Sequence, residues 1–421
     1  VQLEAHLFRR EAGRILGALT RLFGLQNLEL AEDVVQDALC RALEVWNLRG
    51  VPDNPSAWLM TTAKHRALDV LRRERTARTF APEVARHIET TAALATHVDD
   101  CFEPTAIRDE QLRMMFSCCA PQLAEEAQVA LVLSVLCGFS VGEIAQAFLA
   151  SEAAVKKRIT RAKKVLAGAP DALDLAPDVV AARLPAVHRA LYLLFNEGFH
   201  GAGAESAIRV DLCRDAMRLV ALLLEHPVTA TAATRALLAL MCLCAARLPA
   251  RLDASGNLHP LFEQDRSLWD RALIAEGQRL LDQAATGTEL TEYHVEAAIA
   301  WAHCSAARPE DTSWDTIVTL YDLLLRHWPS PVVALQRAIA IAELHGPERG
   351  LWELAAIADR DRLASYPFYT AALAELELRS GRTRLALGHF RNALALARNP
   401  TERRFFEARI RACEETLPGS D

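Results

Sequence analysis

The chain has 421 residues, about half of them hydrophobic, and a formal net charge of −7. That length accommodates about two to four domains, and a composition rich in Ala and Leu with modest Gly and Pro is that of a compact, mostly helical protein. The acidic balance excludes a generally basic nucleic-acid coat, so any DNA contact must come from local patches.

Residues 3–24 carry Leu3, Leu7, Ile15, Leu19 and Leu22 at helical spacing, and Gly24 is placed to end that helix. The opening VQLEAHLFRREAGRIL reads as an amphipathic helix and not as a signal peptide. The first residue is Val, so an initiator Met or a few residues are expected to be missing. No apolar run reads as long enough to span a bilayer. A second helix is predicted from about Glu29 to Val45, with Ala31, Val34, Val35, Ala38, Leu39, Ala42 and Leu43 on its apolar face. Asp33, Asp37 and Arg41 form a polar ridge on the other side. That ridge is either a solvated face or a surface for a basic partner.

NLRGVPDNPSAW is rich in turn residues, and Asn54 before Pro55 suits an N-cap followed by proline at the first helical position. The third helix, Ser56 to Arg78, begins with Trp58 and Leu59 and ends as LRRERTAR. Lys64, Leu68, Arg72 and Arg75 lie along one side, and Arg66 and Arg73 on another. A basic helix with aromatics before it suits a phosphate backbone and exposed bases, although Trp46 and Trp58 taken alone read as core. Residues 79–104 lose periodicity and hold the acidic cluster Asp99, Asp100 and Glu103, which marks a linker. Helical pattern returns at 107–119 and 123–137.

The stretch GFSVGEIAQAFLASEAAVKKRITRAKKVL, Gly138 to Leu166, follows directly. Ser140 and Glu143 make a capping-box pattern, and Ser151 caps a second helix with Glu152 in its first turn. Val155, Ile159, Ala162 and Leu166 form a buried stripe. The other faces carry Lys156, Lys157, Arg158, Arg161, Lys163 and Lys164. Residues 60–78 and 140–166 each hold six basic and two acidic side chains, a local +4, which leaves −15 for the rest. A short helix, a tight turn and a basic helix are how a helix-turn-helix presents side chains to the DNA major groove. The alternative is a solvated basic helix on a helical protein.

The ten cysteines are scattered, with Cys118–Cys119 and Cys242-x-Cys244 as close pairs and no paired C-x-x-C motif. Buried reduced thiols in a cytosolic protein are expected, with no metal and no cofactor.

AEDVVQDALCRALEVW, then NPSAWLMTTAKHRALDVLRRER, then a linker, then the helix-turn-helix resemble an extracytoplasmic-function sigma factor of the sigma-70 family. The first two stretches resemble sigma region 2 and the third resembles region 4. The resemblance implies that Asp33, Gln36, Asp37 and Arg41 dock on the polymerase β′ clamp. Residues 47–56 would form the loop that captures a flipped base of the −10 element, with Asn54, Trp58, Lys64, Arg66, Arg72 and Arg73 on the opening duplex. The acidic linker would thread the RNA exit path. Ser151, Lys156, Lys157, Arg158, Thr160, Arg161 and Lys164 would lie on the −35 element. The first turns would reach bases while Arg158 and Arg161 hold phosphates. Ala153 and Ala154 at the tip offer no hydrogen bonds, which leaves Lys156 and Lys157 as the direct readers.

Sigma factors of this kind end near residue 170, and this chain continues for about 250 residues of helical pattern. APDALDLAPD is the expected boundary. Asn196-Glu197-Gly198-Phe199 is expected to break an apolar helix, and Glu263, Asp265 and Arg266 precede another. Polar turns or buried ion pairs are the reading for both, since nothing brings Glu197, His200 and Asp265 together as an acid–base set. Gly346 and Gly381 lie 35 residues apart in matching contexts, and the segment resembles tetratricopeptide repeats, with 297–330 in looser phase. A sigma-like front with such a tail resembles the sigma factors with large C-terminal extensions, in which the extension controls activity in cis.

The expected architecture is all-α. Region 2 occupies 1–78, a linker 79–104, region 4 105–168, a second linker 169–178, a helical extension 179–290 and repeats 291–421. The implied function is a sigma factor and not an enzyme. Its implied partners are core RNA polymerase (β′ clamp, β flap), promoter DNA and a protein or peptide partner of the repeats, with no membrane. Two other readings are a ligand-responsive helix-turn-helix regulator, which leaves the first 78 residues without a job, and an enzyme housed in 180–290, which rests only on the NEGF and EQDR stretches.

Overall fold

A computed structural model describes residues 2–77, 112–148, 150–169, 175–200, 208–253 and 255–417. The predicted linker 79–104 lies outside these residues, as do 170–174 of the expected second boundary. The described residues form α-helices and short 3₁₀ turns, with one isolated antiparallel bridge between Leu252 and Leu258. The chain divides into two compact units, Val1–Leu194 and Phe195–Asp421.

In the first unit, α1 (Gln2–Phe23) buries Ile15, Leu16, Leu19, Leu22 and Phe23. Each such side chain contributes about 1.5–3 kcal/mol when fully removed from water. Gly24, at φ +80, turns the chain out of the helix, a conformation that costs glycine nothing. The next helix, α2 (Leu28–Arg49), runs four residues past Val45, and Leu43 is 45% exposed instead of facing the core. Trp46 takes that place. It is buried between Phe8 and Trp58, with ring centroids at 5.3 and 5.5 Å. The loop expected over 47–56 is therefore shorter, because 47–49 are helical and α3 (Pro55–Ala77) starts at Pro55. Asn54 caps α3, its Oδ1 accepting from the Ala57 amide at 3.0 Å. Leu59, Ala63, Ala67 and Leu71, four apart, are its buried stripe.

A second bundle follows in the same unit: α4 (residues 112–118), α5 (Glu125–Val135), α6 (Val141–Ala147) and α7 (Glu152–Ala167). Val129 to Leu133 of α5 are all buried, so this helix is the strut on which the others pack. The bundle touches α1, where a side chain at Gly13 would meet the Leu136 carbonyl oxygen at 2.1 Å. That helix α8 (Pro177–His200) runs through Asn196–Phe199 without the expected break. Gly198 is there for closeness: its carbonyl accepts from the Arg209 amide at 2.7 Å, and a Cβ would lie 2.8 Å from the Arg209 oxygen and the Cys213 nitrogen.

The second unit continues with α9 (Val210–Leu224), α10 (Ala232–Ala245) and α11 (Arg271–Ala284). Residues Ala232–Ala250 are long and apolar enough to cross a membrane by length and composition, contrary to the expectation from sequence. They are core instead: 67% of that window is buried inside the protein, and α10 itself ends at Ala245. Gly277 lets α11 close on α10, since a Cβ there would sit 2.6 Å from Leu243 Cγ.

Three helical hairpins complete the unit: α12 (Glu292–Ser305) with α13 (Trp314–His327), α14 (Pro331–His345) with α15 (Pro347–Ala355), and α16 (Pro367–Arg379) with α17 (Thr383–Ala395). Gly346 and Gly381 form the turns of the last two hairpins at φ +91 and +76, the left-handed region that favours glycine. The first hairpin turns through a 3₁₀ segment, Pro309–Asp311, which is why its phase matches only loosely. Each hairpin buries its apolar side against a neighbour, and α18 (Pro400–Thr416) covers the last one with Phe406 and Cys413. The array is tetratricopeptide-like.

Candidate DNA- and polymerase-binding surfaces

The helix-turn-helix is built from caps outward. Ser140 Oγ accepts from the Glu143 amide at 3.2 Å while Glu143 Oε2 accepts from the Ser140 amide at 2.8 Å. That reciprocal capping box fixes the start of α6. Ser151 Oγ accepts from the Ala154 amide at 3.3 Å and starts α7. Ser151 is thus committed to the helix end. Val155, Ile159, Ala162 and Leu166 are buried, so rotation of α7 about its axis is fixed. This leaves Lys156, Lys157, Thr160, Arg161 and Lys164 exposed on the other faces. None of the four cations has a carboxylate partner among the described residues. Thr160 Oγ1 donates back to the Lys156 carbonyl at 2.9 Å.

Arg158 differs. It is half-buried, pairs with Glu126 of α5 at 2.6 Å and lies 5.9 Å from the Phe148 ring centroid. Its charge is already answered inside the bundle. Lys163 differs further: its Nζ donates to both oxygens of Glu32 on α2, at 2.6 and 2.7 Å. Region 2 and region 4 helices are therefore ion-paired within one unit, across 131 positions of sequence. Sequence periodicity could not reveal either pair.

On α2, Asp33, Gln36, Asp37 and Arg41 are all exposed. Arg41 pairs with Glu44 at 3.1 Å. Asp37 Oδ2 accepts from Arg66 Nε at 2.8 Å and lies 2.6 Å from its second nitrogen. The structure thus joins a residue expected at the polymerase with one expected at the DNA. Arg72 and Arg73 are exposed, Arg72 within 4.0 Å of Asp69. Lys64 and Trp58 are half-buried, and Trp58 presents its edge to Trp46. The side chains of Arg75 and Arg78 lie outside the described residues.

The stretches suspected of chemistry hold the chain together instead. Glu197 is buried and pairs with Arg209 at 2.6 Å. Asp265 is exposed and caps a 3₁₀ turn through the Ser267 amide at 2.9 Å. Glu263 pairs with Arg409. The nine described cysteines are free thiols, and burial pushes those of Cys119, Cys213 and Cys242 up to about 12, far from reactivity.

A bundle with a capped basic helix, joined to a bundle with a second basic helix, is the pair of domains that defines the sigma-70 class. A family profile for sigma-70 region 2 matches residues 7–77 and one for sigma-70 region 4 matches 113–166. A third, a family of unknown function (DUF6596), matches 183–285. The chain thus carries sigma-70 region 2 and region 4 domains followed by a DUF6596 domain, which supports an ECF-type sigma factor with a C-terminal extension. It is 38% identical over 403 residues to an uncharacterized protein, R00370, of Rhizobium meliloti (strain 1021), across 94% of this chain and 92% of the relative. It is 28% identical over 162 residues to the ECF RNA polymerase sigma factor SigK of Mycobacterium sp. (strain KMS), 37% of this chain and 76% of the relative. No solved structure matches the chain. Sigma factors are initiation factors and not enzymes. Their region 2 and region 4 imply RNA polymerase core and promoter DNA as partners.

Proposed function

We propose that this chain delivers core RNA polymerase to promoters in the cytoplasm and is regulated by its own C-terminal extension. The ridge of Asp33, Gln36, Asp37 and Arg41 docks on the β′ clamp, and region 4 lies at the β flap. Lys156 and Lys157 reach base edges of the −35 element, with Arg161 and Lys164 on phosphates. The loop 50–54 and the α3 cations Lys64, Arg72 and Arg73 hold the −10 strand as it opens. Arg66 joins them when its pair with Asp37 exchanges for phosphate. The observation that carries this reading is the set of four exposed cations without carboxylate partners on a doubly fixed helix, in one unit with a second basic helix. Regulation in cis is supported by length: the SigK relatives align with only 37% of this chain, which leaves the whole extension beyond what they share.

The test is reconstitution. Purified chain and core polymerase are given a library of genomic promoter fragments. The expected result is transcription from defined start sites. A holoenzyme that starts at none of them defeats the proposal.

A further inference from the structure

The second unit contains arginine side chains, buried or half-buried, with no carboxylate in ion-pair distance among the described residues. Arg247 and Arg251 flank the short turn Leu248–Ala250 after α10. Both reach the same aromatic ring, with guanidinium carbons 5.5 and 4.1 Å from the Phe199 centroid. Arg251 is 7% exposed. It donates to the Phe199 carbonyl and lies 3.4 Å from His200 Nδ1. The half-buried side chain of Arg247 has no carboxylate partner among the described residues, and its Nε is buried without a hydrogen bond. Further in, Arg266, also 7% exposed, is held by the carbonyls of His303 and Ala306 at 3.0 and 2.6 Å and by Thr312, with no carboxylate. His303 Nδ1 is buried and unpartnered as well.

The surrounding groups register that charge. His200, whose residue keeps solvent access at the end of α8, is held well below the usual histidine range by burial, then by Arg251, Arg247 and Arg398. Burial, then Arg247 and Arg266, lower His303 to about 3. Burial and the neighbouring Arg247 bring Arg251 down to about 9. Arg398 is different, because Glu402 answers it at 2.5 Å. Placing two like charges together in a low-dielectric interior is costly, and removing the partner of a buried charge typically costs about 3–5 kcal/mol.

We infer that the Arg247–Arg251 pair, with His200 at its rim, is a binding site for a small oxyanion ligand, a phosphate ester or a carboxylate. Two guanidiniums gathered at one aromatic ring offer the forked donors that match either group. Neutral His200 adds a hydrogen-bonding group at the mouth. A ligand bound here adds negative charge beside guanidiniums that have no carboxylate partner among the described residues, and stabilises the protein by mass action. The inference stands apart from the sigma-factor reading, because its test reads binding and not transcription.

The experiment is thermal unfolding of the full chain in chloride at constant ionic strength, titrated separately with inorganic phosphate and with succinate. A saturable rise in the melting temperature with one of them is expected, and which one it is assigns phosphate or carboxylate. Arg247→Met should abolish the rise. It should also melt at or above the wild-type temperature in chloride alone, since it removes a half-buried charge that sits beside Arg251. Arg247→Lys keeps the charge but loses the fork, and should respond more weakly than wild type. Arg279→Met, an exposed residue paired with Glu276 at 2.5 Å, should keep the full response. No saturable rise with either anion overturns the inference. So does a rise that persists unchanged in Arg247→Met, or one that both anions produce equally in every variant.

Discussion

The basic side chains of α7 and many arginines of the hairpin array are used in different ways. On α7, Lys156, Lys157, Arg161 and Lys164 stand in solvent with no carboxylate within ion-pair distance among the described residues. In the hairpin array Arg308, Arg337, Arg349, Arg379, Arg382, Arg391, Arg398 and Arg409 are each paired with a carboxylate. Arg337 spans to Asp322 at 2.6 Å and Glu353 at 2.7 Å, joining neighbouring hairpins, and Arg391 reaches Glu414 at 2.9 Å. Paired arginines between helices fix register. Unpaired cations on one fixed helix face keep their full field for a polyanion outside the molecule. Charge count alone would treat the two sets alike. What separates them is the position of the acids.

The largest effect belongs to the hairpin array, where apolar packing and not charge should carry stability. Phe390 of α17 is 1% exposed within the cluster that includes Ala386, Phe406 and Cys413. Phe390→Ala should cost about 3–5 kcal/mol in urea unfolding. A loss below about 1 kcal/mol, comparable with an exposed ion pair, would erase the contrast between core and surface drawn here.

Next comes acid sensitivity, which should appear in both units. Burial lowers His188 of α8 to about 4, and His303 of α12 is lowered to about 3. A histidine in the unfolded chain takes up its proton near pH 6.5. Above that pH both states are neutral and nothing is gained or lost. As pH falls below it, the unfolded state binds protons that the folded state refuses. Stability therefore drops by about 1.4 kcal/mol per pH unit per histidine, or roughly 3 kcal/mol for His188 by pH 4. His188→Gln should flatten its share of the decline between pH 7 and pH 4.5. An unchanged slope would show that His188 is protonated in the folded protein.

Much of this could be read from the sequence because the signals were local. The capping box at Ser140, the stripe from Val155 to Leu166 and the paired turns at Gly346 and Gly381 each lie within a few residues of the structure they specify. Three readings failed where a distant neighbour decided. The second helix is predicted to end near Val45, before the turn-rich run, but Trp46 packs against Phe8 and Trp58 and α2 continues to Arg49, with Gly50 as its cap. Gly198 looked like a helix breaker, but it serves a close approach by the start of α9. The run from Ala232 to Ala250 is apolar enough for a membrane by length and composition, but the protein buries 67% of it. The Glu32–Lys163 pair, and the lack of a carboxylate beside Arg247 and Arg251 among the described residues, left no trace in the pattern at all. Each depends on what is, or is not, opposite in space.

The exposed cations of α7 come third. If Lys156 or Lys157 reads a base, its change to Ala should cost about 1–3 kcal/mol on the preferred −35 sequence and relax preference at that base pair. Arg161→Ala should weaken all sequences about equally and make affinity less sensitive to salt. Competition binding on a randomised −35 element, repeated at two salt concentrations, distinguishes them. Equal, sequence-independent losses at all three positions would mean that α7 grips only the backbone.

The smallest effect on the fold, and the most informative, is at Asp37. Its pair with Arg66 is about half-exposed, with side-chain exposures of 52% and 39%, and such pairs contribute about 0–1 kcal/mol. Asp37→Lys should therefore leave the urea midpoint close to wild type while weakening core polymerase affinity, because the ridge would then present the wrong sign to a basic clamp. The double variant Asp37→Lys with Arg66→Asp restores the internal pair in reverse. If Asp37 matters only through Arg66, the double variant recovers core binding. If Asp37 meets polymerase directly, core affinity stays low although the pair is rebuilt. The second outcome is expected, because Asp33, Gln36 and Arg41 share the same exposed face of α2 and extend it beyond the reach of Arg66.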